Sequence, residues 1–178
     1  MKSITESEGA RGLPKKDGQG GNSLTHEGLV EIVGSDYQEI LHTRLYERGI
    51  LKEGERLEFN FPDPHKGSDA NYLYEGTIGN DWVFIYVLLP NGTTSPHKHR
   101  HKIIEVTEEY HLLRGRMNLN LRIGDYVNYT EELDEENNSK TVFPGIQHRG
   151  STNEHFAFVL VVMPNAAPIP RDQLHLPV

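Results

Sequence analysis

Between Gly92 and His101 the chain reads Gly-Thr-Thr-Ser-Pro-His-Lys-His-Arg-His, which puts imidazoles at 97, 99 and 101. In an extended segment successive side chains leave opposite faces, so His97, His99 and His101 share one side and Lys98, Arg100 and Lys102 the other. Neutral imidazole suits Fe, Mn, Zn, Ni or Cu, so one such face could bind a divalent transition metal. Further along stand the carboxylates Glu108 and Glu109, a glycine at 115, and the segment Phe143-Pro-Gly-Ile-Gln-His148. A carboxylate among imidazoles adds charge neutralisation and oxygen affinity, and three nitrogens with one oxygen leave coordination positions open for water or substrate. The chain has no cysteine, which excludes disulfides, thiolate metal sites and a thiol nucleophile.

These groups are far apart in sequence, so the fold must gather them. With 178 residues, 35% of them hydrophobic, the chain is the size of one domain with a substantial core. A net charge of -8 offers no basic footprint for nucleic acid or an anionic membrane, which leaves a small molecule or another protein as partner. No apolar run is long enough to cross a bilayer and the opening residues lack the apolar core of a secretory signal, so the expected location is cytoplasmic.

Residues 1–22 are polar, rich in Gly, Lys and Ser and without apolar periodicity, and are read as disordered. Residues 23–80 are expected to pack on a barrel as edge strands and one helix. Leu24 to Val33 reads as an edge strand. Ser35-Asp-Tyr-Gln38 resembles a capping box, with Tyr37, Ile40, Leu41 and Leu45 at helical spacing and Gly49 as terminator. Leu57, Phe59 and Phe61 alternate with polar residues and predict a strand that stops at Pro62-Asp-Pro64. The core region, 81–165, opens with Trp82-Val-Phe-Ile-Tyr-Val-Leu-Leu89, apolar on both faces. Such a strand lies between an interior and an outer cover, either the helix or a second subunit, and we take it as a sign of a homodimer. Strands follow over Ile104–Leu113, Met117–Ile123 and Phe156–Met163, with an acidic loop over Glu131–Asn138. Residues 166–178 read as an extended tail on the surface or on a partner. Many short strands, one helix and no βα alternation predict an all-β fold, an antiparallel double-stranded β-helix or jelly-roll barrel.

Here the residues match a known pattern. The sequence resembles the cupin superfamily, whose first motif runs Gly, five residues, His-x-His, three or four residues, Glu, six residues, Gly, and whose second is Pro-x-Gly-x-x-His, a short gap, and Asn. Glu108 to Gly115 has the spacing of the second half of the first motif, and Phe143 to His148 fits the second with Phe143 in place of its first Pro. Asn153 falls one residue late. The match runs from about Trp82 to Met163. His97 and His99 leave eight residues before Glu108, and His99 and His101 leave six. Glu105 would restore the family spacing to His99 and His101 but puts Leu112 where the motif has Gly. Strand parity favours Glu108, because an inward Leu112 carries Glu108 inward with it and turns Glu105 out with His111.

The resemblance implies a divalent metal, Fe, Mn, Zn or Ni, held by a pair from His97, His99 and His101 together with Glu108 and His148. It further implies a small-molecule substrate and makes Tyr110 and Tyr86, where they face inward, candidate acid/base groups beside the metal. The leading expectation is an isomerase or dioxygenase acting on a small polar, oxygen-rich metabolite. A non-catalytic ligand-binding or sensor cupin is the alternative, and a metal-free His/Tyr epimerase is a third. His111 is expected to point outward as a structural residue, His155 is ambiguous, and His26, His42, His65 and His175 read as surface residues.

Overall fold

The computed structural model describes residues 24–63, 65–99, 106–124, 127–174 and 176–177. The expectation for 1–22, and those for His101, Glu105 and His175, fall outside them.

The architecture is two facing five-stranded antiparallel sheets, a jelly roll. The first contains β1 (Asn71–Ile78), β2 (Asp81–Leu88), β4 (Glu108–Gly115), β7 (Ser139–Val142) and β9 (Ala157–Met163), in the order β1-β2-β9-β4-β7. The second contains β3 (His97–Lys98), β5 (Met117–Ile123), β6 (Val127–Leu133), β8 (Gln147–Ser151) and β10 (Leu176–Pro177), in the order β10-β3-β8-β5-β6. Alternation decides what each strand presents. On β5, Met117, Leu119 and Leu121 face the interior while Asn118, Asn120 and Arg122 face outward.

The apolar strands β2 and β9 are buried on both faces. Phe84, Tyr86 and Leu88 of β2 and Val159, Val161 and Met163 of β9 fill the space between the sheets. Val83, Ile85 and Val87, with Phe158, Leu160 and Val162, form a second core on the outer side of the same sheet. That outer core is roofed by two helices, α1 (His26–Ile32) and α2 (Tyr37–Glu47), through Leu29, Val33, Tyr37, Leu41 and Leu45. Each such side chain is worth roughly 1.5–3 kcal/mol of burial. The cover over β2 is therefore the chain's own helices, and the two-sided apolar strand does not call for a second subunit.

Several expectations are corrected. Leu24–Val33 is not an edge strand but carries α1, capped by the Thr25 side chain accepting from the Gly28 N–H. The N-cap of α2 is Asp36 rather than Ser35, and its side chain makes no capping bond, because both carboxylate oxygens are taken by Arg114 of β4. Gly49 ends α2 as expected, at φ 67°, in a Schellman arrangement in which the Gly49 and Ile50 N–H groups donate to Tyr46 and Leu45 carbonyls. Leu57 and Phe59 pack against the outer core without forming a strand. Glu131–Leu133 belongs to β6, so the acidic stretch is only partly a loop.

The C-terminal stretch departs furthest from expectation. Ala166, Ile169 and Leu174 are buried in the inner core. The Trp82 indole N–H donates to the Ile169 carbonyl, a short helix α3 (Arg171–Leu174) follows, and β10 pairs with β3. The segment is part of the barrel wall, not a surface tail. At the β4–β5 junction Gly115 has φ 93°, and a Cβ there would lie 2.1 Å from the Phe156 carbonyl oxygen, so only glycine lets β4 pass β9 this closely. No helix among the described residues is long and apolar enough to cross a membrane.

Candidate metal centre

Two strands of the second sheet, with the residue just beyond one of them, and one strand of the first converge inside the barrel. His97 on β3 stands opposite His148 on β8 in the antiparallel register. His99 lies just beyond β3, where its carbonyl accepts the Gly145 N–H, so the Pro-Gly turn before β8 fixes the backbone at both histidine segments. Glu108 comes from β4 in the facing sheet, on the same inward row as Tyr110 and Leu112. Ligand-capable atoms of His97, His99, Glu108 and His148 all lie within 4.8 Å of one another. The preference for Glu108 over Glu105 rested on strand parity, and the inward row of β4 has that parity. His97 and His99 reach Glu108 together; His101 lies outside the described residues.

The hydrogen bonds on the far side of each ring define what the rings present to the centre. Nδ1 of His97, His99 and His148 is 2.9, 2.7 and 2.9 Å from the carbonyl oxygens of Ser95, Leu174 and Ile146. A carbonyl only accepts, so Nδ1 carries the hydrogen in all three rings and Nε2 is the atom left facing the centre. The three Nε2 atoms stand 3.8, 2.8 and 2.5 Å from Glu108 Oε2. Four acceptors thus point at one another in a buried space, an arrangement stable only when cations sit among them, either protons on the imidazoles or a metal ion.

The electrostatics follow from this. Burial opposes ionisation of Glu108, but the His99 and His148 charges and the hydrogen bonds from His148 and His97 outweigh it and hold its carboxyl well below the usual range. Burial works against protonation of His97, yet the Glu108 hydrogen bond and charge leave its pKa raised. The donor set of three imidazole nitrogens and one carboxylate oxygen, each imidazole anchored by a backbone carbonyl, fits a divalent transition metal.

Beside the centre is a narrow cavity of ≈ 330 Å³, open at its mouth, with room for a small ligand. Its walls include Glu108, His97, Tyr110, Tyr86, Tyr72 and His65. Tyr110 is hydrogen-bonded to Glu108, and burial first, then the Glu108 charge, pushes its pKa well up. Its ring meets His148 edge-on at 5.9 Å. Tyr86 is pushed up by burial and by its Tyr72 and Glu108 neighbours, and its buried hydroxyl has no hydrogen-bond partner among the described residues. Both tyrosines face inward, as their expected roles require.

Other histidines fall where expected or not. His111 is on the outer face of β4 beside Glu109, and burial, with Arg48 and Arg44 nearby, pushes its pKa down to about 4. His155 is exposed in the turn before β9, and His26 is exposed on α1. His42 is half-buried, accepting the Leu57 N–H at Nε2. His65 corrects its reading as a surface residue, since its ring lines the cavity and reaches the buried Glu75 at 2.9 Å. Its one sequence signal is the glycine two residues on, since Gly67 at φ 76° sits in the turn closed by the Ser68 N–H donating to the His65 carbonyl.

No family model matches the sequence, and no curated protein is similar to it. Among solved structures, an 11S globulin from Wrightia tinctoria superposes with a TM-score of 0.50 at 11% identity, over 62% of this chain and 29% of that one. The chain has the cupin fold. Oxalate decarboxylase from Bacillus subtilis aligns at a TM-score of 0.47 and 14% identity over 56% of this chain and 24% of that chain. A cupin-like protein from Thermotoga maritima gives 0.42 and 16% over 51% and 62%. The matched part spans about a quarter of the length of the decarboxylase.

Proposed function

We propose that this cupin is a metal-dependent enzyme that acts on a small, polar, oxygen-rich molecule, by isomerisation or by oxygenation. The observation that carries the reading is the inward convergence of three imidazole Nε2 atoms, each held by a backbone carbonyl at Nδ1, on the buried carboxylate of Glu108. His97, His99, Glu108 and His148 would hold the ion, which when bound supplies Lewis-acid or redox chemistry to an oxygen-bearing ligand. The chain's own contribution is positional. The narrow cavity admits a small ligand and offers the Tyr86 hydroxyl, which has no partner among the described residues, as a hydrogen-bond donor. Tyr110, bonded to Glu108, holds the carboxylate in place.

Protein reconstituted with Fe(II), Mn(II), Zn(II) or Ni(II) tests the reading against a panel of small hydroxy and oxo acids and sugars. An oxygenase consumes dioxygen only with Fe(II) and substrate, whereas an isomerase accepts several of these ions and is indifferent to oxygen. Binding of a panel member without turnover under any of them would replace the enzyme by a sensor cupin. A homodimer in the cytoplasm belongs to the same proposal, and a monomeric mass by light scattering at micromolar concentration would remove the dimer.

A further inference from the structure

The walls of the cavity narrow the kind of molecule it can hold. Tyr86 is only 3% exposed, and its hydroxyl lies buried at the cavity wall with no hydrogen-bond partner among the described residues. A hydroxyl taken out of water without a new partner is costly, so this one calls for an acceptor that the site itself brings in. As a phenol it is uncharged near neutral pH, and it offers one O–H donor.

The groups around it are of two kinds. On the inner face of the first sheet, Tyr86 of β2 stands opposite Val159 of β9, and one rung along Phe84 stands opposite Val161. Phe84 and Val161 both line the cavity and make an apolar patch next to the hydroxyl. On the β1 side, a β-bulge between Tyr72 and Tyr74 brings Tyr72 and Glu75 to the same inner face. The Tyr72 and His65 rings stack at 4.4 Å and 20°, and His65 Nε2 is held 2.9 Å from Glu75 Oε2, so this wall is closed by ring faces. Glu108 stands on β4, with β9 between it and β2, about 10 Å from Tyr86 across the sheet backbone. Two inward side chains take up much of that span, and a ligand of few atoms fills the rest.

Charge narrows the choice further. A divalent ion held by three neutral imidazoles and the Glu108 carboxylate leaves one net positive charge. No lysine or arginine lines the cavity among the described residues, and Glu75 offsets any charge that His65 takes up. One negative charge on a ligand is therefore matched, and a second would be buried without compensation.

We propose that Tyr86 is a specificity-determining residue and that it selects a small monocarboxylate bearing an uncharged second oxygen, a hydroxy or oxo acid. The ligand's carboxylate goes to the open metal positions, the hydroxyl or carbonyl oxygen accepts from Tyr86 Oη–H, and a short alkyl group lies on the Phe84 and Val161 patch. A dicarboxylate of the same size is rejected for its second charge. This deepens the reading of the cavity as a metal-dependent small-molecule site, and it rests on that reading.

The test is ligand binding to the Co(II)-loaded protein, followed by the visible spectrum of the cobalt. Lactate, propionate and malonate are the probes, the first two differing only by a hydroxyl. In the wild type we expect lactate to bind about 10-fold more tightly than malonate. Tyr86→Phe, checked for unchanged cobalt content and circular dichroism, should weaken lactate about 10-fold and change propionate by less than about two-fold. That split sets a contact with the second oxygen apart from a merely structural role, which would move both ligands alike. Lactate within about two-fold of wild type in Tyr86→Phe, equal weakening of lactate and propionate, or malonate binding the wild type as tightly as lactate overturns the proposal and leaves the metal centre standing. A wild type that takes up no cobalt overturns the metal reading and this inference with it.

Discussion

Replacing His111 by Leu should flatten the acid dependence of stability. His111 is on the outer face of β4, 8% exposed, with Arg48 and Arg44 beside it and no hydrogen bond to either ring nitrogen among the described residues. Burial, helped by the two cations, lowers its pKa from 6.5 to about 4. The native state therefore keeps the ring neutral while the unfolded chain protonates it as the pH falls below about 6.5. The unfolded state binds more protons in that window, so His111 costs stability progressively from about pH 6.5 down to about pH 4 and nothing above it. Full linkage gives ~2 kcal/mol at pH 5. Arg44 and Arg48 are 30% and 36% exposed, so water screens part of their effect, and we expect ~1 kcal/mol instead. For a chain of this length that is roughly 2–4 °C in Tm. Thermal unfolding of wild type and His111→Leu at about pH 7.5 and pH 5 measures it. All other titrating groups are common to both proteins, so the difference between the two pH shifts isolates this ring. Equal shifts would refute the reasoning and mean that His111 charges freely in the folded state.

Two further outcomes follow from backbone geometry. Gly115→Ala places a methyl group against the Phe156 carbonyl at a positive φ, which forces β4 and β9 apart; we expect at least ~3 kcal/mol of lost stability in urea unfolding. Ending the chain at Pro170 removes the Leu174 carbonyl that anchors His99 Nδ1 and the β10 partner of β3. Metal affinity in a chelator competition should fall about 10- to 100-fold, with the circular dichroism of the sheets retained.

The sequence was most legible where period and motif agreed. β5 and the apolar strands β2 and β9 follow from alternation and β-branched content, and the parity of β4 selected Glu108. His148 was legible from the Pro-Gly turn that sets it at the start of β8. The misses have physical causes. Leu24–Val33 is short and mixed, so the Thr25 cap and burial against the outer core decided its helical state, neither of which its pattern reveals. Four prolines after Met163 suggested a surface tail, yet Ala166, Ile169 and Leu174 close the inner core. The Tyr72, His65 and Glu75 cluster was hidden by the bulge in β1, since a one-residue slip in register reverses which side chains face inward. Asp36 looked like part of a helix cap, and its use by Arg114, distant in the chain, is a tertiary contact that no local signal carries.

The most direct test of the four-residue centre is metal content by elemental analysis of untagged protein, wild type beside Glu108→Ala, His148→Ala and His111→Leu, each checked for folding by circular dichroism. The account predicts about one divalent transition metal per chain in the wild type and in His111→Leu, and its loss in Glu108→Ala and His148→Ala. Equal metal in all four, or none in any after reconstitution, would contradict it.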